Sequence, residues 1–127
     1  MIDFGSSFEI WDKNGKHKPF VAIKKFTGNL MFASANICRG ATLSRRDDIE
    51  SLIYIYVYLL NNHELPWSKW QKALAENTIS MKQIRSRRSK PEMIDEVYKM
   101  LPSKTIKSYY MRVTELLYED EPDYDAL

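Results

Sequence analysis

The sequence predicts a mainly α-helical fold built around one buried central helix, with an irregular segment at the N-terminus. An acidic turn leads into a continuous apolar run between Ser44 and Leu60. Further along the chain, apolar residues recur at spacings of three and four, the period of a helix packed on one side. Residues 6–26 show no such period and contain Gly15 and Pro19, which is typical of a loop.

Composition limits the class of protein. The 127 residues are enough for one domain with a modest core, and a net charge of +2 is too small to indicate a nucleic-acid partner. Cys38 is the only cysteine, so no intrachain disulfide can form and a reducing compartment is expected. We see no secretory signal and no membrane span, and therefore expect an intracellular protein, cytoplasmic or nuclear, without a membrane partner.

The stretch from Ser44 to Leu60 carries the strongest helix signal. Ser44 and Asp47 have the Ser-x-x-Asp spacing of an N-terminal cap, and acidic residues in the first turns suit the helix dipole. The run from Leu52 to Leu60 is apolar on every face, so a helix here must be buried on every side. The β-branched and tyrosine residues also allow a buried strand, but the cap and the total length favour a helix.

The remaining helices are predicted from residues that end or begin a helix and from apolar residues at helical spacing. Asn61 or Asn62 can end the central helix, and Pro66 blocks its continuation. Residues 67–88 read as a helix, with an interruption near 77–80. Pro91 suits the start of the next helix, and Ser103 caps a last helix over residues 104–118 whose inward residues are expected to be Ile106, Tyr109, Tyr110, Val113, Leu116 and Leu117.

Two clusters of basic residues are open to more than one interpretation. The N-terminal loop, with a short strand possible at residues 20–23, carries Lys13, Lys16, Lys18, Lys24, Lys25 and His17. It is either a solvated surface or an anion site. A second run contains Lys82, Arg85, Arg87, Arg88 and Lys90 without interleaved aromatic residues, which favours a solvated helix face over a nucleic-acid surface.

An ordered set of motifs spans the chain. It comprises Asp3-Phe4-Gly5, the stretch from Thr27-Gly28 to Ser34-Ala35-Asn36, Ser44-Arg45-Arg46-Asp47-Asp48-Ile49-Glu50-Ser51-Leu52, Leu65-Pro66-Trp67 and Pro122-Asp123-Tyr124. Together these motifs resemble the casein kinase 1 family of serine/threonine protein kinases, from the metal-binding triplet onward. The resemblance implies the helical C-terminal lobe of a protein-kinase fold. Residues 1–43 would be the triplet, activation segment and substrate loop, and residues 44–127 the helical lobe.

The resemblance also implies roles for particular residues. Asp3 matches the carboxylate that holds Mg²⁺ on the ATP phosphates, within the regulatory triplet Asp3, Phe4 and Gly5. Lys24, Thr27 and Asn29 match positions that receive the protein substrate or its anionic groups, so an acidic or phosphorylated protein substrate is expected.

Asp48 matches a residue that supports the catalytic loop, although an aspartate in a first helical turn also serves the dipole. Read without the family, Asp3-Phe4-Gly5 is a strand end followed by a turn. The chain departs from the family pattern at several positions. Asn29 replaces a threonine, Met31 an arginine, Phe32 a tyrosine and Ile53 a glycine.

Several catalytic motifs are missing from these 127 residues. We find no glycine-rich loop and no His-Arg-Asp catalytic loop. Val21-Ala22-Ile23-Lys24 spells the phosphate-lysine motif, but it follows the Asp-Phe-Gly triplet instead of preceding it. We therefore expect a C-lobe fragment of a kinase that transfers the ATP γ-phosphoryl group to Ser or Thr when complete. This chain alone would have no catalytic residue and bind neither ATP nor Mg²⁺.

One alternative is a non-catalytic, kinase-derived module that binds a partner, and another, read without the family, is a helical interaction domain with basic patches. The two kinase-derived hypotheses predict an uncovered apolar face on the central helix, because the elements that cover it in a whole kinase are not encoded here.

Overall fold

The described part of the computed structural model comprises residues 5, 7–23, 25–26 and 28–126. Within it the regular structure is helical, and it contains no strand longer than an isolated bridge. The helices are α1 (Ala35–Arg39), α2 (Arg45–Leu60), α3 (Ser68–Ala75), α4 (Met81–Arg88), α5 (Glu92–Met100) and α6 (Lys104–Glu115), followed by a 3₁₀ turn at Tyr124–Ala126. The predicted mainly α-helical fold is confirmed.

Helix α2 forms the centre of the fold, and the strand alternative is wrong. Ser44 caps it, with the Asp47 carboxylate accepting a hydrogen bond from the Ser44 backbone N–H at 2.8 Å. The main core forms where α2 meets α5, α6 and the α2–α3 connection. Its buried members are Ile49, Ile53, Tyr54, Val57, Leu65, Trp67, Val97, Leu101, Tyr109, Tyr110 and Val113.

The opposite side of α2 is uncovered. Leu52, Ile55, Tyr56, Leu59 and Leu60 are exposed, and we call them the α2 stripe. Leu59 is 61 % exposed while Val57, two residues earlier, is 0 % exposed. The spacing of the stripe is that of one helix face. Burial on every side, expected from composition alone, is therefore wrong, whereas the uncovered face expected from the missing kinase elements is confirmed.

The later helices match the sequence prediction with two corrections. The predicted interruption is confirmed and lies between Ala75 and Met81, with Asn77 at a positive φ of 57°. Helix α6 ends at Glu115, three residues early, and Leu117 is 69 % exposed instead of inward. The reason is local, since the Asp120 carboxylate accepts a hydrogen bond from the Leu117 backbone N–H at 2.7 Å and turns the chain. Arg88, expected on a solvated face, is 1 % exposed.

The N-terminal segment is irregular, as predicted. In place of a strand over residues 20–23 there is one bridge between Ala22 and Ala41, supported by a hydrogen bond from the Ile23 N–H to the Gly40 carbonyl. The His17 ring packs edge-on to Trp11 and Tyr118, and this contact joins the segment to the chain after α6. In the described residues no helix has the length and apolarity needed to cross a membrane.

Candidate functional site

Residues 28–36, which we call the substrate-loop segment, are anchored on two acidic residues of α2. The buried Asp47 carboxylate accepts hydrogen bonds from the Ser34 hydroxyl at 2.6 Å and the Asn36 amide at 3.1 Å. The buried Glu50 carboxylate accepts one from the Ala35 N–H at 2.9 Å. These bonds hold the start of α1 against the central helix.

A buried arginine anchors the middle of the segment. Arg88 of α4 donates hydrogen bonds to the carbonyls of Leu30 and Ala33, the first at 2.6 Å. Its guanidinium carbon lies 3.6 Å from the ring centroid of Trp67, which is stacking distance. The Trp67 indole N–H donates to the Met31 carbonyl at 2.8 Å. Residues from α2, α4 and the α2–α3 connection therefore fix the backbone of one short segment.

The segment borders a hollow of about 210 Å³. Its lining comprises Gly28, Asn29, Phe32, Ala33, Ser34, Ile37, Leu43 and Ser51. Asn29 is exposed, and its amide oxygen accepts a hydrogen bond from the Met31 N–H at 2.8 Å, which closes a local turn. The hollow is thus shaped by a turn that the Asn29 side chain stabilises.

Asp48 lies at a second hollow, of about 180 Å³, lined by Ser7, Phe8, Leu43, Ser44 and Asp48 itself. Desolvation by its surroundings, and to a smaller extent the neighbouring Asp47, raises the pKa of the exposed Asp48 carboxyl. In the described residues its carboxylate has no hydrogen-bond donor. Leu43 lines both hollows, so Asn29 and Asp48 lie on the same side of the molecule.

The other predicted site residues are only partly visible. Asp3, Phe4, Lys24 and Thr27 lie outside the described residues, and Gly5 is in an exposed turn. Among the residues with a described position, no group of three His, Cys, Asp or Glu side chains is arranged to hold a metal. The Mg²⁺ prediction depends on Asp3 and stays a prediction.

Sequence reasoning missed the anchoring residues. It assigned Asp47 only to the cap and the dipole, and it placed Arg88 on a solvated face. The second Asp47 oxygen, which binds the substrate-loop segment, had no local signal. Nothing in the basic run distinguished Arg88 from Arg87, which is exposed.

Comparison with known proteins shows that this chain is similar to protein kinases. It is 32 % identical over 133 residues to a probable serine/threonine-protein kinase of fowlpox virus. It is 33 % identical over 128 residues to casein kinase I homolog 2 of Schizosaccharomyces pombe, and 29 % identical over 128 residues to a probable casein kinase I homolog of Encephalitozoon cuniculi. No protein-family model matches.

Each alignment covers the whole chain but only part of the relative. The chain spans 40 % of the viral kinase, 28 % of the fission-yeast protein and 39 % of the microsporidian one. By class, therefore, the chain is similar to the serine/threonine protein kinases. Within that class it is similar to casein kinase I homologs, and the short coverage fits a C-terminal lobe.

Proposed function

We propose that this chain acts as the C-terminal lobe of a casein kinase 1-like serine/threonine kinase. In the complete enzyme, ATP and Mg²⁺ would bind between the lobes and a protein substrate would lie along the substrate-loop segment. The observation that carries the proposal is the attachment of that segment to α2 through Asp47 and Glu50 and to α4 through Arg88. Phosphoryl transfer depends almost entirely on positioning, so a rigid platform is what this lobe must supply.

Asp48 supports the same proposal. Its carboxylate, with no donor among the described residues and a raised pKa, faces a hollow next to the substrate-loop segment. We propose that backbone N–H groups of a catalytic loop fill this hollow and hydrogen-bond to Asp48. Such bonds favour the ionised carboxylate and would remove the cause of the raised pKa.

The 127 residues alone are proposed to be inactive, because positioning requires the phosphate lysine and the catalytic loop. An acidic or phosphorylated substrate, and the substrate roles of Lys24, Thr27 and Asn29, belong to the same proposal. The second candidate, a non-catalytic partner-binding module, is favoured by the α2 stripe, whose five large apolar side chains are exposed together.

A chimera tests the proposal. This chain would replace the matched segment of the fission-yeast casein kinase I homolog 2, and phosphorylation of an acidic protein by ATP would be measured. We expect a folded chimera with measurable activity, and an Asp48→Asn chimera with about a tenth of that activity or less. The unmodified relative is the positive control.

The chain alone is examined in parallel by calorimetry with Mg-ATP, and we expect no binding. Saturable Mg-ATP binding by the chain alone would overturn its proposed inactivity. A chimera that folds without activity would favour the partner-binding module, and a chimera that does not fold would refute the C-lobe assignment.

A further inference from the structure

A third hollow, of about 570 Å³, opens between the end of α1 and one face of α4. It shares no residue with the two hollows described above. Its lining comprises Cys38, Arg39, Lys82, Arg85, Ser86 and Ser89. Three of the six residues are cationic, two are hydroxyl residues and none is acidic.

Arg39 is held in place at one wall. Its guanidinium donates to the Asn36 side-chain oxygen at 3.1 Å and to the Ser89 carbonyl at 2.9 Å. These bonds link α1 to the end of α4 and fix the direction of the charge. A fixed guanidinium loses less conformational entropy on binding an anion than a free one.

Arg85 and Lys82 form the opposite wall. Lys82, Arg85, Ser86 and Ser89 have the spacing of one helix face. The Arg85 guanidinium lies over the Phe26 ring at 5.3 Å, and its Nε is buried with no hydrogen-bond partner in the described residues. Within the same part of the chain, no carboxylate forms an ion pair with Arg39, Lys82 or Arg85.

The pKa of the buried Cys38 thiol depends on the charged side chains around this hollow. Burial raises the pKa of the Cys38 thiol and the Glu50 carboxylate adds to this effect, while Arg88, Arg85 and Arg39 act in the opposite direction. Two of those three arginines line the hollow, so positive charge is concentrated on a wall that contains no compensating carboxylate.

We propose that this hollow binds a phosphate monoester dianion carried by a protein segment, as phosphoserine or phosphothreonine. Guanidinium groups match phosphate oxygens in pairs, and the serine hydroxyls can donate as well. The site goes beyond the proposed function and does not depend on it. Nucleic acid is disfavoured because Arg85 already covers the Phe26 ring, and a bilayer because no exposed apolar side chain lines the hollow.

Calorimetry with the 127-residue chain tests this proposal, using a phosphoserine heptapeptide and the same peptide with serine. We expect the phosphopeptide alone to bind, and more weakly as salt increases. Lys82→Gln should weaken binding about three-fold, and Arg85→Gln about ten-fold. Arg87→Gln is the matched control, since Arg87 is an exposed arginine of the same helix that lies over Trp70 instead; its effect should be less than about two-fold.

Further titrations test whether the hollow prefers a phosphorylated protein segment over free phosphate or a phospholipid head group. Inorganic phosphate and vesicles containing phosphatidylinositol 4-phosphate are titrated under the same conditions, with thermal unfolding as a check that each variant is folded. Binding of either at least as tight as that of the phosphopeptide would overturn the protein-segment assignment. Equal binding of the serine peptide, an equal loss in Arg87→Gln, or no saturable binding would overturn the site. Lys82 is exposed, so its variant tests the charge even if Arg85→Gln does not fold.

Discussion

At the scale of single residues, Arg88 is the most consequential side chain outside the central helix. A buried arginine is costly unless its donors and its charge are satisfied. Here two backbone carbonyls bind its terminal N–H groups and the face of Trp67 covers its charge, with no carboxylate at hydrogen-bond distance, while its buried Nε has no partner among the described residues. The Arg88 guanidinium therefore holds the substrate-loop segment against α4.

Arg88→Ala should reduce the free energy of unfolding by about 3 kcal/mol, because it leaves two carbonyls without a donor and removes the stacking on Trp67. Arg87→Ala, on the exposed side of the same helix, should cost less than about 1 kcal/mol. Urea denaturation followed by tryptophan fluorescence measures both. Equal losses in the two variants would contradict the assigned role of Arg88.

Glu50 makes the free energy of unfolding depend on pH in a direction that its raised pKa determines. Burial raises the pKa of its carboxyl above the ordinary 4.5, although the Tyr54 hydroxyl and the Ala35 N–H bind it. A raised pKa means that the native state binds the proton more tightly than the unfolded chain. The stabilisation is therefore complete below pH 4.5 and is lost as the pH rises through the folded pKa.

Glu50→Gln keeps an oxygen acceptor for both donors and removes the titration. The wild-type chain should therefore lose stability relative to this variant as the pH is raised from 4.5. Denaturant midpoints at a series of pH values measure the difference, with the exposed Glu76→Gln as control. A difference that does not vary with pH would show that Glu50 keeps an ordinary pKa.

Contacts between residues close together in the sequence could be predicted, whereas contacts between residues far apart in the sequence could not. The Ser44–Asp47 cap involves residues three apart, and the interruption at Asn77 lies among polar residues, so both were predicted. The bond from Arg88 to the Leu30 carbonyl joins residues 58 positions apart. Sequence pattern does not reveal which of five neighbouring cations makes such a contact, because that depends on how α4 meets the segment.

At the scale of elements, α2 has two apolar faces with different surroundings. One packs against α5, α6 and the α2–α3 connection, and the other, the α2 stripe, faces solvent. The sequence cannot tell these faces apart by hydrophobicity, since the apolar residues of the buried face are Ile, Tyr and Val and those of the stripe are Leu, Ile and Tyr. Only the resemblance to a larger fold predicted that one side would be uncovered.

The α2 stripe should make the isolated chain self-associate at micromolar concentration, because association removes a large exposed apolar patch from water. Leu52→Lys together with Leu59→Lys should shift sedimentation velocity toward monomer without unfolding the chain. Val57→Lys is the contrasting variant on the same helix. It buries a charge at a position that is 0 % exposed, so it should abolish cooperative unfolding. A monomeric wild-type chain would refute the prediction.

At the scale of the whole molecule, one side of the central helix α2 is packed in the core and the other side is exposed. The substrate-loop segment, the hollow at Asp48 and the α2 stripe are the surfaces that we propose to meet substrate or further chain in a complete kinase. The relatives are longer than this chain, and the alignments leave 60–72 % of their lengths unmatched. That the chain is one part of a longer kinase stays a prediction.

Hydroxyl-radical footprinting of the folded chimera tests the central claim most directly. Labelling of Leu52, Ile55, Tyr56 and Leu59 is compared with two references in the same chain, Tyr54 at 3 % exposure and Leu117 at 69 %. If α2 is the core helix of a kinase lobe, the stripe should be protected as well as Tyr54. Stripe residues labelled as strongly as Leu117 would contradict the account.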